Sequence, residues 1–320
     1  MWRYPMSTLL VVSRSDTASM SLGHAICSSS DFDQKDSSLG DLIEFRSMDA
    51  FMITIDKIHL NSDFIGSLLE EEINHKFDDV IVLSRHYSES GRPAMTVHPI
   101  GVVTGVKLGE IGLSGGLFGT LVPPNPKMSW FLSEINRVGR VDPRLENFDL
   151  TIEATHHGPV MSLPTMYLEI GSTELQWSDP YLANIWSDLI TKSLSSCFID
   201  EKRRWILGIG GGHYAPRHRD IVIRSGEIIG HILPGYSLPK IDDDLQKEKF
   251  EIVLESAIQS MIASRPEADI IAHFDRKSMK SWQRKWLTER LAHYGIPVLR
   301  GKQILQNPEI DKGLFPHSRS

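Results

Sequence analysis

WILGIGGGHYAPRHR, residues 205–219, is the stretch on which the reading of this chain turns. Trp205–Ile209 is an apolar run of strand length that ends in Gly210, Gly211 and Gly212, and these deliver His213, Tyr214, Arg217 and His218. Consecutive glycines are unfavourable in backbone entropy, so a chain keeps them where φ is positive or a backbone must approach something closely. Bare amides followed by His and Arg suit an anion or an acyl ester. A tight turn with surface His and Arg would use the same residues.

Outward from that loop, short β-branched runs alternate with helical patterns. Strands are expected at Thr8–Ser13, Phe51–Asp56, Asp79–Ser84, Leu150–Ala154, Met166–Ile170, Trp205–Ile209, Ile270–His273 and Pro297–Leu299. Helices are expected over 63–76, 129–139, 180–196, 243–264 and 277–294. Asp179-Pro180 and Asp242–Asp244 are start signals for two of them. The alternation makes the fold class α/β, with a central, mostly parallel mixed sheet flanked by helices. One domain over 7–304 is expected, between a disordered extension at 1–6 and a tail at 305–320. Residues 85–127, rich in Gly and Pro, read as a long loop insertion at the active site, and 24–41, rich in Ser and Asp, as a surface loop.

Composition narrows the classes. The net charge of −7 rules out a polycation, so nucleic-acid binding would need a local basic face. Cys27 and Cys197 are the only cysteines, which suits a reducing compartment and excludes a disulfide framework or a cysteine zinc knuckle. No apolar run approaches the roughly 20 residues of a bilayer span, and the start MWRYPMSTLLVVS lacks a cleavable leader pattern. No membrane association is expected. The expected location is the cytoplasm, with the nucleus as a second address, and the expected state a monomer.

Four polar clusters fall at or near expected strand ends: SRHYSESG (84–91) with His98, EATHHGP (153–159), EIGSTE (169–174), and the glycine loop with His213, Arg217, His218 and Asp220. In parallel α/β sheets ligands bind at the carboxyl ends of strands, so these point to one shared site. A His/Glu mixture without cysteine fits a catalytic zinc with an open position. Adjacent His156 and His157 cannot both face one ion from a regular strand, since neighbours point opposite ways, although a loop would permit it. The dinucleotide fingerprint fails, because His213 takes the place of the third glycine and Tyr-Ala-Pro stands where a helix should open. No P-loop motif is present, the usual serine hydrolase is disfavoured, and Ser114-Gly115-Gly116 reads as no more than a flexible turn. Between Arg276 and Arg300, seven cations stand against Glu289 alone. Arg276, Lys280 and Arg284 form an i, i+4 row of the expected helix, beside an apolar stripe of Met279, Trp282 and Trp286, which suits tracking phosphates. Lys202-Arg203-Arg204 could extend that patch.

THHGP (155–159), EIGSTELQW (169–177), GIGGGHYAPR (208–217), DRK (275–277) and SRHYSESGRPAMTVHPIG (84–101) resemble the archaeal and plant type of D-aminoacyl-tRNA deacylase. The resemblance runs from Thr8 to near Leu299. It implies hydrolysis of the ester between a D-amino acid and tRNA, broad toward the side chain and zinc-dependent. It also implies a fold akin to purine nucleoside phosphorylase and peptidyl-tRNA hydrolase. Plant members are linked to aldehyde tolerance, which would extend the substrate to aldehyde-modified D-aminoacyl-tRNA.

On this basis His156, His157 and His213 are the expected catalytic residues, and His86, His98, Glu153 and His156 the expected zinc ligands. Gly210, Gly211, Gly212 and Tyr214 would line the pocket for the acyl group or the terminal adenosine, and Arg217 would meet a phosphate. Arg276, Lys277, Lys280 and Arg284 would hold the acceptor end of D-aminoacyl-tRNA, the partner implied. A metal-dependent nucleoside hydrolase or phosphorylase, which leaves the basic face without a role, and a non-catalytic tRNA-binding protein, which needs no histidine-rich strand ends, are the alternatives.

Overall fold

The computed structural model describes residues 7–105, 110–112, 114–196 and 202–306. The expected extension at 1–6, Cys197 and nearly all of the expected tail lie outside these residues. In chain order the first half carries β1 (Thr8–Ser13), α1 (Thr17–Ser28), β2 (Phe32–Lys35), β3 (Asp41–Phe45), β4 (Ala50–Ile55), α2 (Ile65–Ile73), β5 (Asp79–Tyr87), β6 (Ala94–His98), α3 (Met128–Gly139) and β7 (Asp149–Ile152). There follow β8 (Thr165–Ser172), α4 (Glu174–Trp177), α5 (Pro180–Ser196), β9 (Trp205–Ile209), α6 (Pro216–Ser225), β10 (Ile228–Leu233), α7 (Asp244–Ser264), β11 (Ile270–Phe274), α8 (Ser281–His293), β12 (Val298–Leu299) and α9 (Gly301–Leu305).

The strands form two sheets. Eight make a mixed, mostly parallel sheet ordered β2-β3-β4-β1-β5-β8-β6-β7, and four make a parallel sheet ordered β10-β9-β11-β12. The α/β class expected from the sequence is what the protein has. β1, β5 and β9 are buried at all or nearly all positions, as inner strands covered on both faces must be. The largest core cluster joins both sheets, with Leu10, Ile81 and Leu168 from the first and Ile206, Ile232 and Ile271 from the second. The sheets are stitched at the end of β7. There the Ala154 amide donates to the His213 carbonyl (2.7 Å) and the Thr155 amide to that of Ile232 (2.9 Å). Among the described residues no helix is long and apolar enough to cross a membrane.

Several expectations need correcting. The insertion does not begin at 85: β5 runs to Tyr87, and β6 lies inside the sheet, paired with β8 on one side and β7 on the other. The 24–41 stretch is not simply a loop, since α1 ends at Ser28 and β2 and β3 pair antiparallel. A helix does open after Tyr-Ala-Pro, because Pro216 is the first residue of α6, where a missing N–H does no harm. Finally, α8 begins at Ser281, so Arg276 and Lys280 do not belong to a helical row with Arg284.

Candidate metal centre

β5, β8, β6 and β7 lie side by side, and their order brings His86, Glu169, His98 and the loop after β7 together. Residues two apart on a strand share a face, which sets Tyr167 and Glu169 of β8 beside Thr96 and His98 of β6. Because β7 stops at Ile152, Glu153 through His157 are free of strand geometry. His157 then adopts a left-handed backbone (φ 43°), uncommon for a residue with a Cβ. That bend lets consecutive histidines face one place: the His98 ring lies 4.1 Å from the His156 ring and 4.8 Å from that of His157, centroid to centroid.

Glu153 sits at the middle, fully buried. Its Oε1 is 3.0 Å from His86 Nδ1, and its Oε2 is 2.7 Å from His213 Nε2 and 3.7 Å from His156 Nε2. Glu169 lies 3.4 Å from His86 Nδ1 and 3.6 Å from His98 Nε2, and accepts from Thr96 Oγ1 (3.2 Å). Both Glu153 oxygens and His98 Nε2 thus have close ring or carboxylate neighbours but no well-aligned hydrogen bond. Buried polar atoms are nearly always aligned with a partner, so three that are not, in one place, mark a cation seat.

The ring nitrogens define that seat further. His156 Nδ1 lies 2.8 Å from the Ala154 carbonyl, His157 Nδ1 2.7 Å from that of Gly158, and His98 Nδ1 3.1 Å from that of Pro99. A carbonyl only accepts, so each Nδ1 carries a proton and each Nε2 is left to coordinate, the arrangement in which metal-binding histidines are held. Three trios bring ligand atoms within 4.8 Å of one another: His98, His156 and His157; Glu153, His156 and His213; and His86, Glu153 and Glu169. The four residues expected as ligands fall in overlapping groups: His98 with His156, Glu153 with His156, and His86 with Glu153. Both His86 nitrogens are engaged, Nδ1 with the carboxylates and Nε2 with the Tyr214 hydroxyl (3.0 Å).

The electrostatics divide the histidines. Burial and the neighbouring His98 hold His156 well below its usual value and His157 down to about 3, so both are neutral. Burial opposes the charge on His86 and His98 too, but the carboxylates outweigh it, raising His98 and pushing His86 up to about 11. Against the same burial, their imidazolium partners hold Glu153 and Glu169 below the usual carboxylate range. A metal ion entering here would displace the His98 proton.

Residues without a local signal support the centre from behind. The Tyr167 ring stacks on His98 (4.8 Å between centroids, 4° between planes), and its hydroxyl donates to the Gly158 carbonyl (3.2 Å). His59 bridges that hydroxyl (3.0 Å) to Asp16 Oδ2 (3.2 Å). The centre opens into a cleft of about 600 Å³. Glu169 was legible as part of a polar strand end but not as a partner of His86; Tyr167, His59 and Asp16 give no pattern that spacing could find.

The glycine loop is built for packing. The Gly210 amide donates to the Leu233 carbonyl (2.8 Å) and that of Gly211 to Ser278 Oγ (2.6 Å), so neither is bare. Both have φ of 90°, and a Cβ on Gly210 would stand 2.7 Å from Ser278 Oγ. The glycines answer to the 275–279 turn, and a Cβ on Gly212 would meet open space. The loop does deliver His213 and Tyr214 to the cleft. Arg217, expected to meet a phosphate, is paired with Asp275 and lines another cleft with Arg276, Lys277 and Arg300. Lys280 Nζ donates to the Lys240 carbonyl (2.6 Å), and the Arg284 guanidinium to the carbonyls of Arg276 and Met279. Arg276 and Lys277 remain exposed. Arg203 is buried against the Ser225 carbonyl and Arg204 pairs with Glu227, so neither extends a basic face.

The family described as D-aminoacyl-tRNA deacylase matches residues 73–299. A D-aminoacyl-tRNA deacylase of Arabidopsis thaliana is 35% identical over 311 residues, spanning 92% of this chain and 98% of the relative. One of Methanosarcina acetivorans is 31% identical over 79% of this chain and 77% of its own length. One of Archaeoglobus fulgidus is 29% identical over 92% and 97%. Among solved structures, a crystal structure described as a conserved protein of unknown function superposes with a TM-score of 0.78 at 27% identity, covering 94% of this chain and 98% of that one.

Proposed function

From the premise that this chain belongs to the D-aminoacyl-tRNA deacylase family, we propose how its buried His/Glu centre serves the family's reaction. The enzyme is a hydrolase acting on D-aminoacyl-tRNA. Water adds to the ester carbonyl carbon, the bond to the ribose oxygen breaks, and a D-amino acid and tRNA leave. The nucleoside hydrolase and the non-catalytic binding protein are not favoured.

The observation that carries the site assignment is that ligand atoms of His98, His156 and His157 lie within 4.8 Å of one another while each Nδ1 is tied to a carbonyl. His98, His156 and His157 would hold the metal, with Glu153 beside them, and the donor set of nitrogen and carboxylate without thiolate suits zinc. Such an ion supplies Lewis acidity toward the carbonyl and a lowered pKa for a nearby water. His213 Nε2 faces Glu153 Oε2 at 2.7 Å, the pairing by which a carboxylate orients a catalytic imidazole. Its Nδ1, 3.4 Å from the Tyr236 hydroxyl, is the atom that would take the proton of the attacking water and return it to the departing ribose oxygen. His86, held charged between Glu153 and Glu169, keeps both carboxylates ionised and in place. Arg276 and Lys277 are the cations of the expected basic face still available to tRNA phosphates. Zinc as the ion, a monomer as the working form, the cytoplasm as location, and acceptance of aldehyde-modified D-aminoacyl-tRNA belong to the same proposal.

The test is deacylation of D-Tyr-tRNA and L-Tyr-tRNA in parallel, with chelator and then zinc added back. Release from the D-ester alone, lost on chelation and restored by zinc, is expected. D-selective release indifferent to chelation would remove the metal, and no release from either ester would remove the reaction.

A further inference from the structure

One wall of the catalytic cleft carries side chains that the chemistry does not use. Arg85, Tyr87 and Trp177 line the same cleft as His86, Glu153 and His213. Tyr87 is 70% exposed, an aromatic ring left in water beside a strongly polar site. The Arg85 guanidinium lies over the Trp177 ring, 5.2 Å from its centroid. These positions are firmly held. Trp177 Nε1 donates to the His86 carbonyl (3.0 Å), and the Arg85 amide donates to Asp16 Oδ2 (3.1 Å). Trp177 ends α4, which follows β8 directly behind a Thr173/Gln176 capping box. The wall thus adjoins the centre along the chain, with Arg85 and Tyr87 flanking His86 on β5 and Trp177, in α4, eight residues beyond Glu169 of β8.

We propose that Tyr87, with the Arg85–Trp177 pair, is the stacking wall for the unpaired 3′ end of tRNA, the terminal base lying on Tyr87 and the phosphate preceding it meeting Arg85. The inference rests on the deacylase reading and names where that substrate's nucleotide goes. The reacting ester is carried by a ribose, and its base is one bond away, so the base must lie against a wall of the cleft that holds the centre. Single-stranded RNA is gripped by stacking on aromatic rings and guanidinium planes, which accept any base and need no hydrogen-bond readout. The chain carries a net charge of −7, so a phosphate beside the acidic centre needs a local cation, and Arg85, 43% exposed with its Nε 3.9 Å from Asp16 Oδ2, stands there with the rest of its guanidinium open to the cleft. The glycine loop does not compete for this role, because the Gly210 and Gly211 amides are already engaged.

The test is steady-state deacylation of D-Tyr-tRNA by the wild type, Tyr87→Ala and Tyr87→Phe. The exposure of Tyr87 makes both substitutions harmless to the fold. Tyr87→Ala should raise KM about tenfold or more with kcat within about twofold, and Tyr87→Phe, which keeps the ring, should match the wild type. A wild-type KM in Tyr87→Ala, or an equal loss in Tyr87→Phe, would overturn the stacking wall while leaving the deacylase intact. Failure of the wild type itself to release D-tyrosine would instead strike the reading beneath it.

Discussion

After β7, His156 and His157 turn into a cluster whose inner atoms lack well-aligned hydrogen bonds; after β9, Gly210 and Gly211 turn against Ser278 with their amides satisfied. The two loops meet at the Ala154–His213 hydrogen bond and look equally functional in sequence. The difference lies in what remains unpaired. Polar groups of the first loop converge on an interior space without well-aligned hydrogen bonds, and the amides of the second are used up within its own sheet, on Leu233 of β10 and on Ser278 after β11. A site is marked by unmet bonding capacity, and glycine count or histidine density is a poor guide to it.

The sharpest way to break that contrast is to remove one histidine from each loop. His156 belongs to two of the three ligand trios, so His156→Ala should lower metal content, read by elemental analysis of the purified protein, and cut turnover of D-Tyr-tRNA by at least about 10²-fold. His213→Ala should lose about 10²–10⁴-fold in kcat with its metal retained, as expected for a group that moves a proton. Metal lost equally from both variants would shift the seat to Glu153, His156 and His213.

The sequence carries much of this and hides the rest for physical reasons. β1, β5 and β9 are legible because a strand buried on both faces is a continuous apolar run. α1 is harder to see, since Ala18, Leu22 and Ile26 form its stripe among Ser, Gly and His residues of low helix propensity. β6 is hidden because AMTVH follows the Gly-Arg-Pro turn signal, and only pairing with β8 and β7 makes it a strand. In the centre, His86, His98, Glu153, His156, His157 and His213 are marked by residue type at strand ends. Glu169 and Tyr167 are assigned only by the register that sets Thr96 against Glu169 and His98 against Tyr167. The purpose of Gly210 depends on a turn more than 60 residues away, which no local reading reaches.

The glycines themselves sharpen the contrast at the next level of effect. Gly210→Ala puts a Cβ at positive φ and 2.7 Å from Ser278 Oγ, so it should lower unfolding stability by about 3 kcal/mol in urea titrations. Gly212→Ala, whose Cβ meets open space, should be nearly neutral in both stability and kcat. A Gly212→Ala enzyme that folds normally but loses turnover would return the glycine loop to a ligand-binding role.

Smaller again is the pH response of two satisfied histidines, His218 of α6 and His231 of β10. Burial, and for His218 the neighbouring His273, holds His218 and His231 down to about 3. His231 lies between Thr155 Oγ1 (3.0 Å) and Ser260 Oγ (2.9 Å). Unfolding lets each take a proton below its usual value of 6.5, while the folded state refuses one until about 3. The unfolded chain therefore binds more protons in that window, and stability is lost as pH falls through it, by about 1.4 kcal/mol per pH unit for each histidine. In urea titrations between pH 6 and 4, His231→Gln should flatten the slope by one such increment and leave kcat at pH 7 unchanged. An unaltered slope would mean that His231 is not held neutral.

The smallest effect expected is on the exposed cations, where the contrast between used and unused groups recurs. Lys277 is exposed at the cleft that it shares with Arg217 and Arg300, and its side chain supports no backbone group. Arg284 donates to two loop carbonyls, so the same truncation removes part of the fold. Lys277→Ala should raise KM for D-Tyr-tRNA only severalfold, with the plot of log kcat/KM against log salt shallower by about one unit and the melting temperature unmoved. Arg284→Ala should do the reverse, lowering the melting temperature while keeping the salt slope. If both variants instead change the salt slope alike, the hydrogen bonds of Arg284 to the loop yield to phosphate when tRNA binds, and the helical row read from the sequence describes the bound state.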